Sequence, residues 1–69
     1  MKLHEPVPGT RVAGKVVKLL RNTGIIQASD GTVFEFMPSG EVRMGADVWF
    51  RVYRSAHDGR LLAADVSKA

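Results

Sequence analysis

The chain has no cysteine. Disulfides and thiolate metal sites are therefore excluded as sources of stability, and 69 residues must hold together through an apolar centre alone. Aromatic residues are sparse: one Trp, one Tyr and three Phe. No apolar run approaches the roughly 20 residues that span a bilayer, and residues 1–9 contain no apolar stretch of signal-peptide length. The expectation is a cytoplasmic protein with no membrane association. Phosphate-cradling glycine loops and recognisably paired catalytic carboxylates are missing too, so no enzymatic activity and no cofactor are expected. His4 and His57 stand alone, without the further ligands a metal site needs. His57-Asp58 has no nucleophile motif beside it, and Asp58-Gly59 reads as turn chemistry.

What is present is a chain of short strands. Residues 1–9 carry Pro6, Pro8 and Gly9 and read as an extended lead-in to a single domain over 10–69. Residues 11–20, RVAGKVVKLL, form the longest strand-like stretch, because Val12, Val16 and Val17 are β-branched and Gly14 would weaken a helix. A glycine inside such a strand marks a bulge or bend where one strand serves two parts of a small barrel. Strands are predicted over 25–29, 32–37, 47–54 and 60–66. Asp30-Gly31 is a two-residue hairpin signal in which both positions tolerate positive φ, and residues 38–46 form a loop with room for one helical turn. In 47–54, Val48, Phe50 and Val52 alternate with Trp49, Arg51 and Tyr53. In 60–66, Leu62, Ala64 and Val66 are expected to face inward; the segment's Leu and Ala content also allows helix, but seven uncapped residues make a poor one. Five short strands at near-regular spacing, in a chain too short for two full sheets, predict an all-β, five-stranded barrel, whose closure removes exposed edges.

Charge is unevenly placed. Residues 1–29 hold five cations against one acid, net +4, and residues 30–69 hold five against six, net −1. The surplus on the first strand and the turn after it, at Arg11, Lys15, Lys18 and Arg21, points to an anionic partner. Lys15 and Lys18 are an odd number of residues apart, so both face outward only where the strand bulges or twists between them.

The order of features resembles the bacterial cold-shock domain, across residues 14–66. The resemblance lies in G-K-V at 14–16, K-L-L at 18–20, G-I-I at 24–26, D-G-T-V-F-E-F at 30–36, G-A-D-V-W-F at 45–50 and A-A-D-V at 63–66. The segment D-G-T-V-F-E-F-M-P-S-G also looks like part of bacterial translation initiation factor one. Both resemblances imply an OB barrel that binds single-stranded RNA or DNA. The departures lie in the rings: Ile25 stands in N-T-G-I-I-Q where the family has an aromatic motif, and Leu19 falls where the family has an exposed tryptophan. Each lost stack removes about 1–3 kcal/mol. The third strand admits two registers. In one, Phe34 and Phe36 occupy stacking positions and Glu35 points into the core. In the other, slipped by one, the two rings are core and Glu35 faces outward; the expense of burying an unpaired carboxylate favours the slip.

The candidate nucleic-acid contacts are thus Lys15, Lys18, Arg21 and Ile25, joined in one register by Phe34 and Phe36. Trp49, Arg51 and Tyr53 form a second candidate surface, an outward aromatic-basic-aromatic stripe suited to a protein partner or a homodimer. The expected function is a weak, salt-dependent single-stranded nucleic-acid binding module. The alternative is a protein-interaction barrel that has lost its stacking face.

Overall fold

The computed structural model describes residues 11–38 and 42–69; the lead-in expected over residues 1–9 lies outside them. Five strands follow in order: β1 (Arg11–Leu19), β2 (Gly24–Ala28), β3 (Val33–Phe36), β4 (Asp47–Arg54) and β5 (Leu61–Lys68). They close into a barrel in the order β1-β2-β3-β5-β4, with β3 and β5 parallel and the other neighbours antiparallel. This is an all-β, OB-fold-like barrel. Residues 61–68 are strand rather than helix, and the described residues contain no helix that could cross a membrane.

Closure depends on β1 serving two neighbours. Residues Arg11 to Lys15 pair with β4, residues Gly14 to Leu19 pair with β2, and Gly14 and Lys15 belong to both ladders. At Gly14 the strand bends closely over the core. A Cβ there would sit 2.6 Å from Ile26 Cγ2 and 3.1 Å from Phe50 Cε1, so the first of these neighbours would have to move and the second to give way. The bulge itself lies further along, at Val17, where the register shifts between Val16 and Lys18. Gly24 plays a similar part under the Phe36 ring, whose Cε1 would stand 2.5 Å from an added Cβ.

The interior is filled by alternate residues of each strand, among them Val16, Ile26, Phe34, Phe36, Val48, Phe50 and Val52, all buried. Phe34 and Phe50 lie with ring centroids 4.9 Å apart and planes inclined at 59°, a tilted aromatic pair that adds to their burial. No polar or charged side chain is buried among the described residues. That settles the register of β3: Phe34 and Phe36 are core, and Glu35 projects outward.

Two local expectations are corrected. The β2–β3 hairpin has a three-residue loop, 29–31, rather than two. Ala28 N–H donates to Thr32 O and Gly31 N–H donates to Ala28 O (2.8 and 2.9 Å), and only Gly31 has positive φ, at 92°. This is the arrangement in which a single glycine closes the turn. Asp30 instead accepts a hydrogen bond from the Thr32 backbone N–H (2.9 Å), which holds its carboxyl below the ordinary value. In β5, Leu61, Ala63 and Val66 pack on the core, not Leu62 and Ala64. Phe50 on β4 stands opposite two residues of β5, because the pairs Trp49–Ser67 and Arg51–Ala64 enclose both Asp65 and Val66. Asp65 takes up the extra residue at φ 53°. Alternation read straight through that bulge assigns the wrong face to everything before it.

Candidate nucleic-acid interface

The bulge at Val17 decides what the outside of β1 presents. Lys15 pairs with Gln27 and Lys18 with Ile25. Gln27 and Ile25 are two apart on an unbroken strand, so they share the outer face, and the lysines opposite them do as well. Extending those pairs across the sheet gives two outer rows. One runs Asp47, Lys15, Gln27, Val33, and the other runs Lys18, Ile25, Glu35, Leu62, Tyr53. Arg21 is exposed in the turn that follows β1, closed by the Leu20 N–H on Thr23 O (2.8 Å). Lys15, Lys18, Arg21 and Ile25 are therefore gathered on one side and end of the barrel. Phe34 and Phe36 are not, and they leave the set of candidate contacts: their rings are in the core, and Glu35 between them faces outward.

Ion pairing separates the cations. Lys15 Nζ lies 3.7 Å from Asp47 Oδ1, with both side chains more than half exposed. Such a pair is worth about 0–1 kcal/mol and is screened by salt, so Lys15 remains available to a stronger anion. Arg51 Nε lies 3.7 Å from Asp65 Oδ2. Arg60 is held most firmly: Nη1 meets Glu35 Oε1 at 2.7 Å and Nε meets Asp58 Oδ2 at 2.8 Å. The Arg60 backbone N–H also donates to Asp58 Oδ1 (3.1 Å), and this bond is the main reason the Asp58 carboxyl lies below its ordinary value. Of the five acids in the described residues, Glu35, Asp47, Asp58 and Asp65 thus already face a cation. Lys18, Arg21 and Arg11 have no carboxylate within 4 Å among the described residues.

Arg43 joins them, and sequence reasoning missed it. It lies in the connection between β3 and β4, within the half of the chain that carries net negative charge. The backbone of that connection is laced to β1 beside the bulge: Gly45 N–H donates to Val16 O (2.8 Å) and Val16 N–H to Ala46 O (3.0 Å), while Ala46 N–H donates to Arg43 O (3.0 Å). Arg43 is exposed and likewise lacks a carboxylate partner among the described residues. Around the same end, Val17, Leu20 and Met44 are exposed apolar side chains. Only the long-range closure of the barrel brings Arg43 to β1, so no local pattern could have flagged it.

The β4 stripe is outward, as expected. Trp49 and Tyr53 are about half exposed, and Arg51 lies between them and opposite Arg11. Trp49 is flanked by Ala13 and Ser67, and Tyr53 by Leu62. The stripe shares no row with Lys15; Tyr53 meets the Lys18 row only at its far end. Among the described residues, no group of three or more His, Cys, Asp and Glu side chains is placed to hold a metal ion.

The fold and this surface define an OB-fold-like barrel with a cationic end. Comparison of the chain with protein-family models and with curated proteins finds no match.

Proposed function

We propose that this barrel binds single-stranded nucleic acid through the phosphate backbone, weakly and with strong dependence on salt. The observation that carries the reading is the group of Lys18, Arg21 and Arg43, cations without a carboxylate partner among the described residues, around the bulged end of β1 in a protein whose described acids are largely occupied by other cations. Lys15 adds a fourth contact when phosphate displaces Asp47. Ile25 offers an apolar rest between them, in place of the ring that cold-shock domains carry, so charge rather than stacking dominates affinity. The resemblance of the strand motifs to cold-shock domains supports the same ligand class and a cytoplasmic setting.

An amide NMR titration with a short oligonucleotide at low salt tests it. Shifts should cluster on β1, β2 and the 43–46 connection. Absence of any shift at millimolar oligonucleotide would refute it.

A second reading is favoured by one observation: Trp49 and Tyr53 stand exposed on β4 while the outer face of β1–β3 holds no ring. On this reading the barrel docks a protein partner, or a second copy, through Trp49, Arg51 and Tyr53. Light scattering of the wild type and of Trp49→Ala separates the homodimer form of this reading from a monomeric barrel.

A further inference from the structure

We propose that the open groove between β3 and β5 receives an unpaired nucleobase, which supplies from β4 the aromatic contact that β1–β3 lack. The inference rests on the nucleic-acid reading above and gives it a specific base site.

The groove follows from the strand lengths. β3 has four residues, and its parallel ladder to β5 has one paired position, Glu35 with Leu62. Past that position the two strands part, leaving a concavity of about 340 Å³. Its lining includes Thr23, Glu35, Phe36, Met37, Tyr53 and Leu62. Two of these side chains are large and apolar yet held in water: Met37 is 84% exposed and Tyr53 is 53% exposed. They flank a single concavity, whereas an exposed apolar residue standing alone on a surface would be unremarkable in origin and need no ligand.

Three features select a base over other occupants. Tyr53 offers a ring face and Met37 a polarisable thioether, both suited to a flat aromatic guest. Thr23 and Glu35 also line the groove, and the hydroxyl of the one and the carboxylate of the other, which shares its Oε1 with Arg60, offer polar groups to the edge of a base. The charge lies on the correct side: Thr23 belongs to the turn that carries Arg21, two residues earlier and so at most about 7 Å along the backbone. Arg21 has no carboxylate partner among the described residues. A nucleotide whose phosphate rests on Arg21 therefore has its base within reach of the groove.

The test compares an oligothymidylate with an abasic strand of the same length, using protein labelled at the methionine methyls. Met37 lines the groove, and Met44, on the 43–46 connection beside the phosphate contacts, should respond to both strands alike. The oligothymidylate should shift the Met37 methyl and the Tyr53 ring, and the abasic strand should leave both in place while still shifting amides near Lys18 and Arg21. Tyr53→Ser should weaken oligothymidylate binding about five-fold or more and leave abasic-strand binding unchanged. Equal Met37 shifts with both strands, or base-containing strands that bind without moving Met37 or Tyr53, would overturn the groove assignment and leave the phosphate reading intact. Met37 shifts that follow protein concentration instead would place a second copy in the groove and overturn it too. Failure of both strands to bind refutes the phosphate reading, and this one with it.

Discussion

Lys15 and Lys18 stand on the same face of β1 although they are three positions apart, because Val17 is an extra residue in the ladder to β2. Without that bulge one of the two would point into the barrel. Val17 is consequently 41% exposed, while its neighbour Val16 is 1% exposed. The two valines should respond oppositely to truncation. Val16→Ala is expected to destabilise the barrel by roughly 2 kcal/mol, through lost burial and a residual cavity. Val17→Ala should change stability by less than about 0.5 kcal/mol. Urea denaturation of both variants checks the pair, and similar losses would mean the bulge is elsewhere.

The glycines of β1 and β2 give a second expectation. Gly14→Ala drives a methyl into Ile26, and Gly24→Ala drives one into the Phe36 ring. Each should lower stability by about 1–3 kcal/mol, the usual penalty for overpacking. For a domain of this size that is a large share of the total, and thermal unfolding followed by circular dichroism would register it. Unchanged melting curves for both would contradict the close approach of β1 and β2 to the core.

Phe34 separates core from ligand face. Buried against Phe50, it should tolerate Leu at a cost of about 1 kcal/mol, and Phe34→Ala should cost about 3–5 kcal/mol and leave the chain largely unfolded. Folded Phe34→Leu should bind an oligonucleotide as the wild type does. A protein of unchanged stability with weakened binding would return this ring to the outer face.

Much of the fold was legible in the chain, and the places where it was not share a physical cause. The β4 strand reads directly from alternation, since 47–54 is regular and half buried throughout, and the first strand announces itself by Val content. The errors fall at irregularities. Straight alternation put Leu62 and Ala64 inside because nothing in LLAADV reveals that Asp65 absorbs a residue. Asp30-Gly31 resembles a two-residue turn, and only the backbone pairing of Ala28 with Thr32 shows the third residue. The ambiguity of β3 was decided by Glu35, whose charge is unwelcome in a core without polar partners. Of the candidate contacts, the cations on β1 were visible as a run. Arg43 was not, because it reaches that surface only through a connection distant in sequence.

Asp65 gives a fourth expectation. Its φ of 53° is unfavourable for a side chain branched at Cβ. Asp65→Val should cost about 1–3 kcal/mol. Asp65→Gly should be close to neutral, since relief of the backbone offsets both the exposed Arg51 pair and the added freedom of the unfolded chain. Chemical denaturation of the two variants side by side reads the difference, and equal stability would argue for a regular β5.

The most direct trial of the central claim is the salt dependence of oligonucleotide binding. For single strands, the logarithm of the association constant falls against the logarithm of salt with a slope of about −0.7 for each phosphate neutralised. Replacing Lys18, Arg21 or Arg43 by Gln should flatten that slope by about 0.7 apiece, and Lys15→Gln should flatten it less because Asp47 already holds that lysine. Slopes that stay at the wild-type value in all four variants would contradict a phosphate chain resting on this end of the barrel.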